Sequence, residues 1–323
     1  MSHPFFEVDV FATTAFSGNP LAVIANADDL STEQMQSIAA WTNFSETTFL
    51  LKPTNPQADY RVRIFTPQEE FDFAGHPTLG TARVFKELHG TEGTVVQECN
   101  VGLVTVREEG GVFSFATPAL RKSGPLSAAE LQDSCSFLGV DKDAVVDAAW
   151  VDNGPGWRLV QLADAASVRN LQPTGTPALK VGVVGMEGDS YEVRAFTPRF
   201  EDPVTGSFNG GAAEFMRAKG AVPASYIAYQ GSQVGRNGEV HIHDDGEDIW
   251  LVATSTSWWK AASTYDFPRV RQALTPAVRP CGRRSTTPSA AGPTQRRTGY
   301  RTRPGSGLAA QRRRHQLPTR PQR

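Results

Sequence analysis

One carboxylate, Glu46, stands among hydroxyls and aromatic rings in Thr42-Asn43-Phe44-Ser45-Glu46-Thr47-Thr48-Phe49. Such surroundings strip water from a carboxyl and raise its pKa above the ordinary value of about 4.3. A carboxyl so tuned can serve as acid and as base near neutrality. Taken alone, a glutamate after a helix more often caps it or faces solvent, so its context decides. That context is a stretch that occurs twice. Val62-Arg63-Ile64-Phe65-Thr66-Pro67 leads to Asp72-Phe73-Ala74-Gly75-His76-Pro77-Thr78-Leu79-Gly80. An altered copy, Val193-Arg194-Ala195-Phe196-Thr197-Pro198, leads to Glu201-Asp202-Pro203-Val204-Thr205-Gly206-Ser207 and on to Gly211. Arg63 and Arg194, Gly75 and Gly206, and Gly80 and Gly211 are all 131 residues apart. One constant offset over several positions indicates an internal duplication, two related halves facing each other.

Each copy reads as a strand, a glycine turn and a helix. Tyr60, Val62 and Ile64 alternate with Arg61, Arg63 and Phe65, and Tyr191, Val193 and Ala195 repeat the pattern. Pro77 suits a first helical turn, and Leu79, Ala82, Phe85 and Leu88 give an apolar helix face. Ala212, Phe215 and Met216 do the same in the second copy, with Gly220 as its stop. Both turns therefore present backbone N–H groups at a helix start, where a carboxylate or phosphate binds. Two such starts on one cleft imply a small anionic ligand. His76 and Ser207 occupy equivalent places, although each alone could be an ordinary cap, and Asp202-Pro203 an ordinary turn.

Around these motifs, residues 5–11 open as a strand, and Ser17-Gly18-Asn19-Pro20 is a turn signal. Ser31-Thr32-Glu33-Gln34 is a capping box with Leu30 and Met35 as its staple, starting a helix to about Trp41. Short strands at 95–96, 103–106 and 112–115 close the first half; Ser123-Gly124-Pro125 reads as a linker, and residues 126–131 repeat the box-and-staple signature. Strands at 157–162, 181–186, 226–230 and 239–243 surround the second motif. Strands outnumber helices and each half has a helix inside its motif. An α+β fold is expected, with antiparallel or mixed sheet curled about a central helix. His241 and His243 read as a solvated strand face rather than a metal pair.

The net charge of −2 hides an asymmetry: residues 252–323 hold fourteen Arg and one Lys against one acid, a net +14, leaving −16 on the rest. The body has the character of an acidic cytoplasmic enzyme. The chain contains no apolar run long enough for a membrane span, and the N-terminus lacks the order of a signal peptide. Cys99, Cys135 and Cys281 are too scattered for a metal cluster or disulfide framework; Cys99 and Cys135 are expected as small buried hydrophobes. No phosphate-loop, dinucleotide or cysteine-cluster motif calls for a cofactor.

Gly18-Asn19-Pro20-Leu21-Ala22-Val23, Asn43-Phe44-Ser45-Glu46-Thr47, Arg63-Ile64-Phe65-Thr66-Pro67, Phe73-Ala74-Gly75-His76-Pro77-Thr78 and the 201–207 stretch together resemble the phenazine-biosynthesis PhzF-like isomerase family, over residues 5 to 250. The resemblance implies a diaminopimelate-epimerase-like fold of two pseudo-symmetric halves, a homodimer, and cofactor-independent movement of a proton between carbons. The reference substrate is trans-2,3-dihydro-3-hydroxyanthranilate. It places the catalytic glutamate on Glu46 and supporting roles on His76, Asp202 and Ser207, with Asn19, Ser45, Gly75 and Gly206 in substrate binding. Asp202 is expected to orient His76 or a substrate amine. Related epimerases of this fold carry a cysteine after each motif glycine; His76 and Ser207 stand there instead, so a two-thiol mechanism is excluded. Other readings of the same scaffold are epimerisation and a catalytically silent metabolite-binding protein.

These features give an N-terminal half at 1–122, a C-terminal half at 123–251 and a basic, disordered tail at 252–323. Read in a shifted frame with G/C-rich codons, the stretch from Leu251 yields an alternating strand of family character, so the tail is expected to be a frameshift product. A basic arm for nucleic acid is the less favoured reading.

Overall fold

The alternation of apolar residues over Tyr60–Phe65 produces strand, and the duplication turns one such unit into two. The computed structural model describes residues 2–263, which fall in one compact unit. Cys281 and the tail from 264 lie outside the described residues. The first half runs β1 (His3–Val10), β2 (Asn19–Ile24), α1 (Thr32–Thr42), β3 (Thr47–Leu51), β4 (Tyr60–Phe65), β5 (Glu70–Phe71), α2 (Gly75–His89), β6 (Val95–Cys99), β7 (Gly102–Glu109) and β8 (Val112–Ala116). The second runs β9 (Lys122–Pro125), α3 (Ala128–Leu138), β10 (Val145–Asp152), β11 (Arg158–Leu162), α4 (Ala165–Arg169), β12 (Val181–Glu187), β13 (Ser190–Phe196), β14 (Glu201–Asp202), α5 (Gly206–Ala218), β15 (Ser225–Gln230), β16 (Gly238–Asp244) and β17 (Ile249–Ser263).

Strand pairing closes a ring in the first half, in the order β1-β2-β3-β4-β6-β7-β8-β17 and back to β1. Only β2–β3 and β4–β6 within it are parallel. In the second half β9-β10-β11-β12-β13-β15-β16-β17 form a run whose parallel pairs, β11–β12 and β13–β15, sit at the equivalent places. α2 touches every strand of the first ring and is buried along most of its length, as a central helix must be. Gly80 lets it approach β2, because a Cβ there would meet Leu21 Cδ2 at 2.5 Å. At the equivalent place on α5, a Cβ on Gly211 would meet the Val151 carbonyl oxygen at 2.3 Å. The outer helices pack by their apolar stripes. α1 sets Met35 and Ala39 against Phe49 and Phe65, and α3 sets Phe137 and Leu138 against Val160 and Val183.

The repeated Arg-x-Phe-Thr-Pro segment is a hairpin device. Arg63 forks onto Glu70 at 2.7 and 2.6 Å, and Arg194 onto Glu201 at 2.8 and 2.7 Å, each tying its strand to the short strand next in the chain. Thr66 Oγ1 accepts from the amides of Gln68 and Glu69, and Thr197 Oγ1 from those of Arg199 and Phe200. Two identically braced turns result.

Two expectations about boundaries are corrected. Ser123-Gly124-Pro125 is not a linker but part of β9, with Gly124 opposite Trp150. β17 continues through the expected start of the tail at 252, and its residues 255–263 pair antiparallel with β1. The outer edge of β1 carries main-chain groups that need a partner, and Val252–Ser263 contains neither Pro nor Gly to interrupt a ladder. Cys99 and Cys135 are buried, and His241 and His243 are exposed on β16.

Candidate active site

α1 and α3 start with complete capping boxes on Ser31 and Ser127. The two motif helices differ: neither Ala74 before α2 nor Thr205 before α5 makes a side-chain cap. Their first-turn amides are therefore the uncapped ones, positive partial charges directed at whatever lies beyond. The two starts meet. A Cβ on Gly206 would lie 3.1 Å from Gly75 Cα and 3.1 Å from the His76 nitrogen, a tight contact that glycine avoids.

A cavity of about 190 Å³ opens at the meeting point, lined from both halves by Ser45, Glu46, Gly75, His76, Asp202, Gly206 and Ser207. Phe71, Trp157, Lys180 and Phe200 add to its wall. Among the residues expected at the site, only Asn19 is not in the wall. It is fully buried one layer behind, where its Nδ2 donates to Asp202 Oδ1 at 2.9 Å and to the Val204 carbonyl at 2.8 Å. Ser45 Oγ donates to Asn19 Oδ1 at 3.1 Å. Thr205 Oγ1 donates to the other Asp202 oxygen at 2.8 Å. One chain of hydrogen bonds thus runs from the Glu46 loop through Asn19 into the second half. Asp202 is held by Asn19 and Thr205 rather than aligned on His76.

Burial sets the charge states. It pushes Glu46 up to about 8, with the Asp202 charge adding to the effect and the nearby Ser45 hydroxyl and Lys180 opposing it. Asp202 is raised to about 6 by burial, against the hydrogen bonds from Thr205 and Asn19. His76 is pulled down to about 3 by burial alone. Glu46 Oε2 lies 3.4 Å from His76 Nδ1. At neutral pH this is a contact between a carboxyl that tends to keep its proton and a neutral imidazole, not an ion pair. Glu46 Oε2 and His76 Nε2 are both buried without a hydrogen-bond partner, which leaves the two groups available to a third.

Ser207 Oγ accepts from Trp157 Nε1 at 2.9 Å, so its own hydrogen is free to be donated into the cavity. Trp157, Lys180 and Gln230 were not singled out from the sequence. Gln230, at the end of β15, accepts from the Thr205 amide and donates to the Asp202 carbonyl, fixing the turn before α5. A glutamine closing a buried strand was its only signal. Among the described residues no cluster of ligating side chains could hold a metal ion, and no helix is long and apolar enough to cross a membrane.

Two braced halves, each with a central helix, whose helix starts meet at a buried cluster of titratable groups define an epimerase-like scaffold. A structure of a hydroxyproline epimerase from Agrobacterium vitis has this fold, with a TM-score of 0.54 at 13% identity, covering 83% of this chain and 94% of that one. Residues 8–251 match the family described as phenazine biosynthesis-like protein, and the chain belongs to that PhzC–PhzF family of isomerases. It is 36% identical over 259 residues to Antisense-enhancing sequence 1 of Schizosaccharomyces pombe, covering 72% of this chain and 88% of the relative. It is 32% identical over 267 residues to the trans-2,3-dihydro-3-hydroxyanthranilate isomerase of Pseudomonas chlororaphis, covering 79% and 95%. A PhzF-family structure from Enterococcus faecalis superposes with a TM-score of 0.69 at 26% identity, covering 82% of this chain and all of that one.

Proposed function

We propose that this isomerase moves a proton between two carbons of a small carboxylate-bearing carbon acid without a cofactor, with Glu46 as the shuttle. The substrate carboxylate lies at the starts of α2 and α5, received by main-chain amides and the Ser207 hydroxyl. Glu46 takes the proton from one carbon and returns it to another. His76, neutral at working pH, contributes hydrogen bonding rather than charge, and Asp202 holds the neighbouring proton equilibrium. The similarity to the Pseudomonas enzyme supports a substrate related to trans-2,3-dihydro-3-hydroxyanthranilate. A homodimer is the assembly that the family resemblance implies, and the acidic composition of the body suits the cytoplasm.

The observation that carries this reading is one buried carboxyl, raised to about 8, in the same cavity as two touching helix starts. Incubation with candidate cyclic acids in deuterated water should place deuterium on carbon. Glu46→Gln should reduce exchange by roughly 10²–10⁴-fold, the range for loss of a general acid–base group, while ligand binding stays measurable. Exchange at the wild-type rate in that variant removes the mechanism.

A further inference from the structure

Lys180 stands immediately before β12, its carbonyl accepting from the Arg158 amide at 3.1 Å. Its Nζ lies 5.0 Å from the Phe71 ring centroid and 5.8 Å from that of Trp157. Among the described residues it makes no ion pair, although the charges of Glu46, Glu69, Asp202 and Asp152 all act on it. Asp152 is already engaged by the amides of Gly154 and Gly156. A half-buried ammonium between aromatic faces with no acceptor is costly unless a ligand supplies one.

Its position in the cavity indicates which part of a ligand that is. An adjoining cleft of about 250 Å³ shares Glu69, Phe71, Pro155 and Lys180 with the active cavity and includes neither helix start. Lys180 therefore stands on the wall that the active cavity shares with this second cleft.

We propose that Lys180 is a specificity residue whose ammonium receives a second oxygen acceptor, a carboxylate or a keto oxygen, on a substrate already held by its first carboxylate. Within the carboxylate-bearing acids proposed above, the substrate class is then one that carries, or develops during the proton shift, a second carboxylate or keto oxygen. This rests on the proton-shift reading. As the C–H bond breaks, its proton goes to Glu46 and its electron pair moves into the conjugated system ending on the second oxygen, which faces Lys180. Return of the proton from Glu46 to another carbon restores neutrality there, and nothing is oxidised or reduced.

Calorimetric titration at fixed ionic strength tests it with four probes: benzoate, isophthalate, 3-acetylbenzoate and 3-(aminomethyl)benzoate. The wild-type chain is expected to bind isophthalate and 3-acetylbenzoate about tenfold or more tighter than benzoate, the effect of one hydrogen bond to a charged group, and the amine most weakly. Lys180→Met should erase the preference, and Lys180→Arg should keep it for isophthalate. Should the Met variant fail to fold, Lys180→Gln carries the same expectation. A role limited to neutralising Glu46 and Asp202 would change affinity in step with the charge of the probe and leave the charge-matched ratio of 3-acetylbenzoate to benzoate unchanged. An unchanged value of that ratio, or a wild-type chain with no preference, including no binding of any probe, overturns the proposal. Glu46→Gln should keep the ratios, so loss of the shuttle reading and loss of this one are seen separately.

Discussion

Glu46 and Asp202 are opposed to His76 in what burial does to them, and this gives the site its pH behaviour. The ionised form of Glu46 is the base, so kcat/KM for deuterium exchange should rise with pH toward a plateau above about 8. Asp202→Asn removes the second cause of the Glu46 shift while leaving the first, burial. The rising limb should therefore move part of the way down in pH, and a limb that stays in place or moves upward contradicts the electrostatics. Stability depends on the same groups. The folded state holds the Glu46 proton more tightly than the unfolded chain, whose carboxyl titrates near 4.5. Its contribution is thus fully present below that value and is lost as pH rises through about 8. Asp202 acts in the same direction over a lower window. His76 acts oppositely, its contribution present above about 6.5 and lost as pH falls toward about 3. Glu46→Gln cancels only the first of these. Urea unfolding should show the variant gaining on wild type by on the order of a few kcal/mol between pH 5 and pH 9. An unchanged difference across that range would mean that Glu46 is not desolvated. The upward shift of Glu46 was readable from its setting in the sequence, but the walls around it were not, since of its neighbours in 42–49 only Ser45 lines the cavity. The role of Asn19 was not, because its partner Asp202 is 183 residues away and only the fold brings them together.

At the scale of elements, the two motif helices are distinguished by what they lack. The outer helices carry reciprocal caps that are legible in Ser31–Gln34 and Ser127–Glu130, because capping is local. α2 and α5 leave their first amides uncapped and bring them together through Gly75 and Gly206. Gly206→Ala should push the starts apart by a few tenths of an ångström, since its Cβ would lie 3.1 Å from backbone on the other helix. The expected cost is about 1–3 kcal/mol of stability, with weaker binding of carboxylate probes and no change in the Lys180-dependent ratios. Thermal unfolding and benzoate titration measure the two effects, and an alanine variant of wild-type stability and affinity refutes the contact. The 131-residue repeat made this pairing of helix starts legible. The remaining walls were not, since Trp157 and Lys180 come from segments with no counterpart motif in the first half. Ser123-Gly124-Pro125 misleads for a related reason: its composition is that of a turn, but the exposed edge of β10 supplies a strand with main-chain partners whatever its side chains.

For the whole molecule, β17 is the element shared by both halves. It pairs with β16 through residues 249–252, with β8 through 250–254 and with β1 through 255–263, so it both joins the halves and closes the first ring. The family match ends at Leu251, and yet the ladder continues beyond it. Main-chain hydrogen bonding explains how residues beyond the family match can occupy the place, because the ladder on β1 requires extended backbone without Pro and not particular side chains. Two truncations separate the role of the strand from that of the residues beyond it. A chain ending after Ser263 keeps all the β1 pairs from His3 with Ser263 to Val10 with Ser255 and should unfold cooperatively with the midpoint of the full chain. A chain ending after Leu251 exposes the edge of β1 and opens the ring around α2, so it should aggregate or unfold at a much lower temperature. Hydrogen exchange of the β1 amides reads the difference directly. Fast exchange in both truncations, or protection in both, would show that β17 does not close the ring.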